Sequence, residues 1–185
     1  MSTLQLPQLD SFSGSIKIGY GRDPNYQEWA PGDIELIEMK MRWNPSDQLR
    51  VNFRLNQQNN RRPQDGSLVS SGTVPRLKVE YQLNKSLFLR FVGQYNSSYR
   101  DSLRDSSRDG MPIYFKNSDG TFNRASKQES NSLQTDFLFS YRPTPGTLVF
   151  VGYGSSMTEP QRYRFKSLER KSDGFFIKLS YVYRL

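Results

Sequence analysis

The side chains best suited to chemistry in this sequence are cations that keep one parity. Lys40 and Arg42, Arg50 and Arg54, Arg76 and Lys78, then Arg90, Arg142, Lys178 and Arg184 all interrupt runs of apolar residues at even positions. Lys17, at an odd position in a segment whose apolar residues are the even Ile16, Ile18 and Tyr20, belongs to the same face, and only Glu38, Glu80 and Asp136 oppose it in sign. Cations gathered on one surface attract anions, and a pore ringed by Lys and Arg selects for them. The same side chains would also serve simply to solvate a wet interior. Covalent chemistry has little to work with. The chain has no histidine and no cysteine, which removes Ser-His and Cys-His nucleophiles, imidazole and thiolate metal sites, and disulfides. Two acidic segments, Asp105 to Gly110 and Asn117 to Gly120, resemble calcium loops in part. Both lack the spacing that ends in a twelfth-position carboxylate, so surface turns and no metal are expected. Asp101, Asp105 and Asp109 recur every four residues beside Arg100, Arg104 and Arg108, a pattern that suggests disorder or a fold induced by a partner. With no glycine-rich phosphate loop either, no enzyme and no cofactor are expected.

The cations need strands to place them. Residues 1–12 read as a polar lead-in, and the domain is expected over 13–185. Eight segments alternate with period two: 14–21, 34–44, 49–57, 74–83, 87–95, 133–142, 148–154 and 174–185. In Leu49 to Gln57, for example, Leu49, Val51, Phe53 and Leu55 alternate with Arg50, Asn52, Arg54 and Asn56. The segment 148–154 is apolar on both sides and its faces cannot be assigned. Tight connections follow the second, fourth and sixth strands at Asn44 to Asp47, Asn84 to Ser86 and Pro143 to Gly146. Long polar loops are expected at 22–33, 58–73, 96–131 and 155–172. An antiparallel meander therefore collects its short turns at one end and its long loops at the other.

That asymmetry is the pattern of an outer-membrane β-barrel, with short periplasmic turns and longer outside loops. Trp43, Tyr81, Tyr141, Tyr181 and Tyr183 fall near the tight-turn end of the apolar row; Tyr20, Tyr95 and Tyr153 fall near the other. Tyr and Trp favour membrane interfaces because an apolar ring and a polar tip are satisfied together. The mean hydropathy of -0.76 does not oppose this, since alternation halves the apolar content of a spanning strand. The absence of an eighteen-residue apolar run excludes only transmembrane helices. The expected fold is all-β, an antiparallel up-and-down transmembrane β-barrel of about eight strands, or the C-terminal arc of a larger one. A soluble barrel with the apolar row lining a ligand cavity has the same alternation and is the alternative. The net charge of +8 suits anionic partners. Single-stranded nucleic acid is not expected, because aromatics and cations lie on opposite faces rather than interleaved. Met1 to Leu9 lacks the features of a signal peptide, so a mature form or a piece of a longer protein is expected.

The stretches RLKVEYQLNKSLFLRFVGQY, TDFLFSYRPTPGTLVFVGYGSS and SDGFFIKLSYVYRL, with Glu159-Pro160 between the last two, carry a resemblance. Over residues 74–185 the chain resembles the C-terminal domain of unknown function in bacterial proteins that begin with a carbohydrate-binding family 9 domain. The resemblance implies the outer-membrane β-barrel end of a longer parent, hence upstream domains, outer-membrane lipid and lipopolysaccharide, and the barrel-assembly machinery as partners. The carbohydrate-binding domain itself has no counterpart here, and sugar binding is not implied. Passive passage of anionic or polar solutes, or a membrane scaffold, is the expected function. The loop cations Arg61, Arg62, Arg100, Arg104, Arg162, Arg164, Lys166, Arg170 and Lys171 are candidates for lipopolysaccharide phosphates.

Overall fold

The structure, a computed structural model, describes residues 2–7 and 9–182. Each of the eight alternating segments forms a strand, the last as far as Tyr181 with 183–185 outside the described residues, because an apolar residue at every second position can be gathered on one face only in an extended chain. They are β2 (Phe12–Asn25), β3 (Ala30–Trp43), β4 (Leu49–Arg61), β5 (Leu68–Gln82), β6 (Leu87–Arg100), β9 (Gln128–Tyr141), β10 (Thr147–Glu159) and β11 (Glu169–Tyr181). The short β1 (Ser2–Gln5) lies within the expected lead-in, and β7 (Tyr114–Lys116) pairs with β8 (Phe122–Arg124) in a separate hairpin. The main sheet has nine strands in the order β1-β2-β3-β4-β5-β6-β9-β10-β11, every pairing antiparallel.

The strands outrun the apolar alternation at the long-loop end. The backbone ladder continues where side chains turn polar, so the expected loop 22–33 shrinks to 26–29, 58–73 to 62–67, 96–131 to 101–127 and 155–172 to 160–168. The tight turns stand where expected. Asn84 Oδ1 accepts the N–H groups of Ser86 and Leu87, and Gly146 supplies the positive φ of 96° that its turn requires. The faces of β10 are assigned by register: Val149, Val151 and Tyr153 lie opposite Tyr141, Phe139 and Phe137.

Closure of the barrel is where the structure departs from expectation. The sheet is open among the described residues. β1 takes only the part of β2 from Ser15 to Ile18, and β11 pairs on one side alone. A barrel needs its first and last strands to share a ladder.

Openness determines where the core sits. The accessible surface is 12891 Å², against about 9,200 Å² for a compact monomer of this mass. Buried apolar side chains gather at the long-loop end, where Leu103, Ile113 and Ala125 form a small cluster inside the 101–127 loop. That cluster replaces the disorder expected there, since three apolar side chains and the β7-β8 hairpin give the loop something to fold around.

Candidate functional site: the cationic face

Register fixes what alternation leaves open, namely which cations become neighbours. One line of Cα partners crosses β2 to β6 as Ser15, Lys40, Arg54, Arg76 and Gln94. Two residues nearer the tight turns, the parallel line is Ser13, Arg42, Asn52 and Lys78, followed by Arg50, Glu80 and Arg90. Lys78 is half-buried, and Lys40, Arg42, Arg50, Arg54, Arg76 and Arg90 are exposed. A depression of about 450 Å³ lies over the β2 to β4 part of the first two lines, with Lys40, Arg42, Arg54, Ser13, Ser15 and Asn52 in its lining.

Charge is balanced unevenly over this face. Lys78 Nζ stands 2.9 Å from Glu80 Oε2, and Glu80 itself lies between Arg50 and Arg90 in register. Arg76 donates to Gln94 Oε1 at 3.1 Å. Among the described residues, Lys40, Arg42, Arg54 and Arg76 make no ion pair. Arg142 stands apart from this cluster, at the tight turn after β9, where its guanidinium reaches Lys85 O at 3.5 Å. Lys178 is exposed on β11, and Arg184 lies outside the described residues.

The opposite face is apolar and uncovered. Trp43, Tyr81, Tyr141 and Tyr181 are exposed near the tight turns, and Tyr20 and Tyr153 near the other boundary. Tyr183 lies outside the described residues. Between the aromatic bands a shallow hollow is lined by Val79, Phe91, Phe137, Phe139 and Val151. At about 3.4 Å per residue, Leu87 to Tyr95 spans roughly 27 Å along the strand; tilted by about 40°, that is a band about 20 Å high. Above it the same face becomes polar. Arg22 bonds Asp33 at 3.1 Å, Asn59 donates to Glu35 at 3.2 Å, and Ser71 to Asn59 at 2.8 Å.

Tyr95 departs from the other interface aromatics, being only 4% exposed. The 160–168 turn folds over it, with ring centroids 4.8 Å away at Tyr163 and 5.5 Å away at Phe165. Its hydroxyl donates to Glu159 and accepts the Tyr163 N–H at 3.0 Å. Tyr163 and Phe165 both have positive φ, 60° and 54°, a strained state for side chains of this size. Glu159 helps hold it by accepting the Phe165 N–H at 2.8 Å.

Several loop cations are already engaged within the protein. Arg62 is buried, and its fork meets the fully buried Glu28 at 2.6 and 2.9 Å. It also donates to Asp101 at 2.9 Å and Ser67 at 2.9 Å. Glu28 further accepts the Arg104 N–H at 3.0 Å and the Ser106 hydroxyl at 3.1 Å. Burial pulls the Arg62 pKa down, but the bonds to Glu28 and Asp101 outweigh it and raise it overall. Burial likewise pushes Asp101 up, and its Arg62 bond prevails and holds it below the usual carboxylate range. Arg104 pairs with Asp65 at 2.5 Å, and Arg162 bonds Thr73. Arg62 is therefore a structural cation rather than one offered to a phosphate, because the pairing that makes its burial tolerable occupies its donors.

Two features escaped the sequence reading. Glu28 is a lone acid in an aromatic turn, and only its distant partners reveal it. Gly152 lies under the Phe176 ring, where an added Cβ would come within 2.1 Å of a ring carbon. Comparison with family models, curated proteins and solved structures gives no match.

Proposed function

We propose that this chain is the membrane-spanning part of an outer-membrane β-barrel, with its apolar face in lipid and its cationic face towards water. The observation that carries this is the uncovered apolar band. A sheet this size leaves Leu77, Leu89, Phe137, Phe139 and Ile177 exposed on a single face, and aromatic residues bound that band at both ends. Its height of about 20 Å is near the roughly 25 Å apolar belt of such barrels. Lipid satisfies such a surface without any protein layer. The polar rim above it, with its ion pairs and long loops, suits the outside of the membrane.

In this reading the cationic face lines a lumen that passes polar or anionic solutes, or the sheet serves as a membrane scaffold. No reaction is assigned to it. An open sheet of this kind fits an arc of a wider barrel, in keeping with the resemblance to the barrel end of carbohydrate-binding family 9 proteins. Outer-membrane lipid, lipopolysaccharide and the barrel-assembly machinery are the partners this implies. The purified chain should acquire β-structure from denaturant only with detergent or lipid, read by circular dichroism and by a mobility shift between boiled and unboiled samples. A monodisperse β-protein in plain buffer would overturn the membrane reading and favour the soluble ligand-binding barrel.

A further inference from the structure

Three cations stand side by side on successive strands: Lys40 on β3, Arg54 on β4 and Arg76 on β5 are direct Cα partners. Adjacent strands are about 4.8 Å apart, so the line spreads three positive stems over roughly 10 Å. Like charges directly opposite one another destabilise a sheet. Four residues nearer the tight turns the repulsion is relieved, with Glu80 between Arg50 and Arg90 and bonded to Lys78. Nothing comparable relieves the Lys40 line. Its flanking partners are Ser15 and Gln94, and Glu38, the nearest acid along β3, is the partner of Lys17. A hollow over the Lys40–Arg54 part of this line is also lined by Arg42, Ser13 and Asn52, which add a fourth charge and neutral polar groups, and Arg76 stands beyond its rim.

We propose that the Lys40–Arg54–Arg76 line is a binding site for a multivalent anion, an oligophosphate or polycarboxylate long enough to reach cations on adjacent strands about 4.8 Å apart. Guanidinium groups engage phosphate and carboxylate oxygens in pairs, and a single ligand crossing three strands relieves both repulsions at once. A monovalent anion relieves only one contact, so the site discriminates by valence rather than charge alone. The proposal rests on the reading of this face as water-filled.

The test uses the chain folded in detergent, titrated with inorganic tripolyphosphate, citrate, orthophosphate and chloride at matched ionic strength. Binding is read by calorimetry and stability by thermal unfolding. Tripolyphosphate or citrate should bind and raise the unfolding midpoint well beyond orthophosphate, and which of the two binds better identifies the chemical class. Arg54→Gln should raise the midpoint without any anion, by removing the central charge, and weaken multivalent binding at least tenfold. Arg124→Gln, which removes one charge in the β7-β8 hairpin, should change neither. Equal responses to all anions at matched ionic strength, or unchanged binding in Arg54→Gln, would overturn the site. Folding without detergent would sink the membrane reading on its own, and the same titrations in plain buffer would still decide the anion site.

Discussion

The two ends of the same strands obey different physics. At the long-loop end Glu28, Arg62, Ser71, Thr73, Tyr95, Ser97 and Asn131 are buried, and most of them bond one another or the covering loops. A few residues further down, Leu89 and Phe137 are exposed on the apolar face, and Lys40, Arg54 and Arg76 on the other. The upper region is stabilised as a water-soluble protein is, by polar groups that satisfy each other out of solvent. The lower region has only its backbone ladder and whatever covers the apolar face. In the proposed membrane reading, a chain with one such end and one such middle meets two solvents in series.

That contrast can be broken from either side. Glu28→Gln removes the fully buried charge partner of Arg62 and leaves the part-exposed Asp101 to pair with it, at a cost near the lower end of the about 3 to 5 kcal/mol of a broken buried pair. The damage should be confined to the cap, seen as rapid proteolysis within 101–127 while the strand signal in circular dichroism persists. Charge in the apolar band should act on the opposite region. Phe137→Lys or Val79→Arg should cost about 2 to 4 kcal/mol of membrane folding, and Asn52→Lys on the cationic face should be mild. Equal tolerance of the two faces in refolding yield would remove the distinction between them. Gly152→Val meets the Phe176 ring and should cost about 1 to 3 kcal/mol by overpacking. The double change with Phe176→Ala should recover most of that loss in a denaturant titration.

Acid should sharpen the comparison with the smallest effect. Asp101 is held below its ordinary range by Arg62, and Asp65 by Ser67 and then Arg104. A depressed carboxylate contributes stability that is complete above its unfolded value near about 4 and is lost as pH falls through its folded value. Loop proteolysis should therefore be unchanged from pH 7 to about 5 and increase at lower pH. Acceleration setting in as pH rises above neutrality would contradict that assignment.

How much of this was legible in advance follows from the range of each interaction. Leu49 to Gln57 could be read as a strand because period-two alternation is written in adjacent residues. The Pro143 to Gly146 turn could be read because Pro and Gly restrict or free their own backbone. The loops were overestimated because residues such as Gln58, Asn59 and Asn60 carry no apolar alternation, although their backbones continue the ladder with β3 and β5. Arg62 and Tyr95 were placed on the surface because their types suit it, and only long-range contacts bury them.

The sequence by itself determined the existence of the eight long strands, the parity that separates cations from apolar side chains, and the segregation of short and long connections. These depend on local backbone preference and a repeat of two. Only the tertiary structure decided that Lys40, Arg54 and Arg76 share a line, that Arg62 meets Glu28 and Asp101 across three loops, and that the described sheet remains open. Each depends on register or on residues far apart in the chain, where the cost of desolvating or opposing a charge is set by partners that neighbouring residues do not specify.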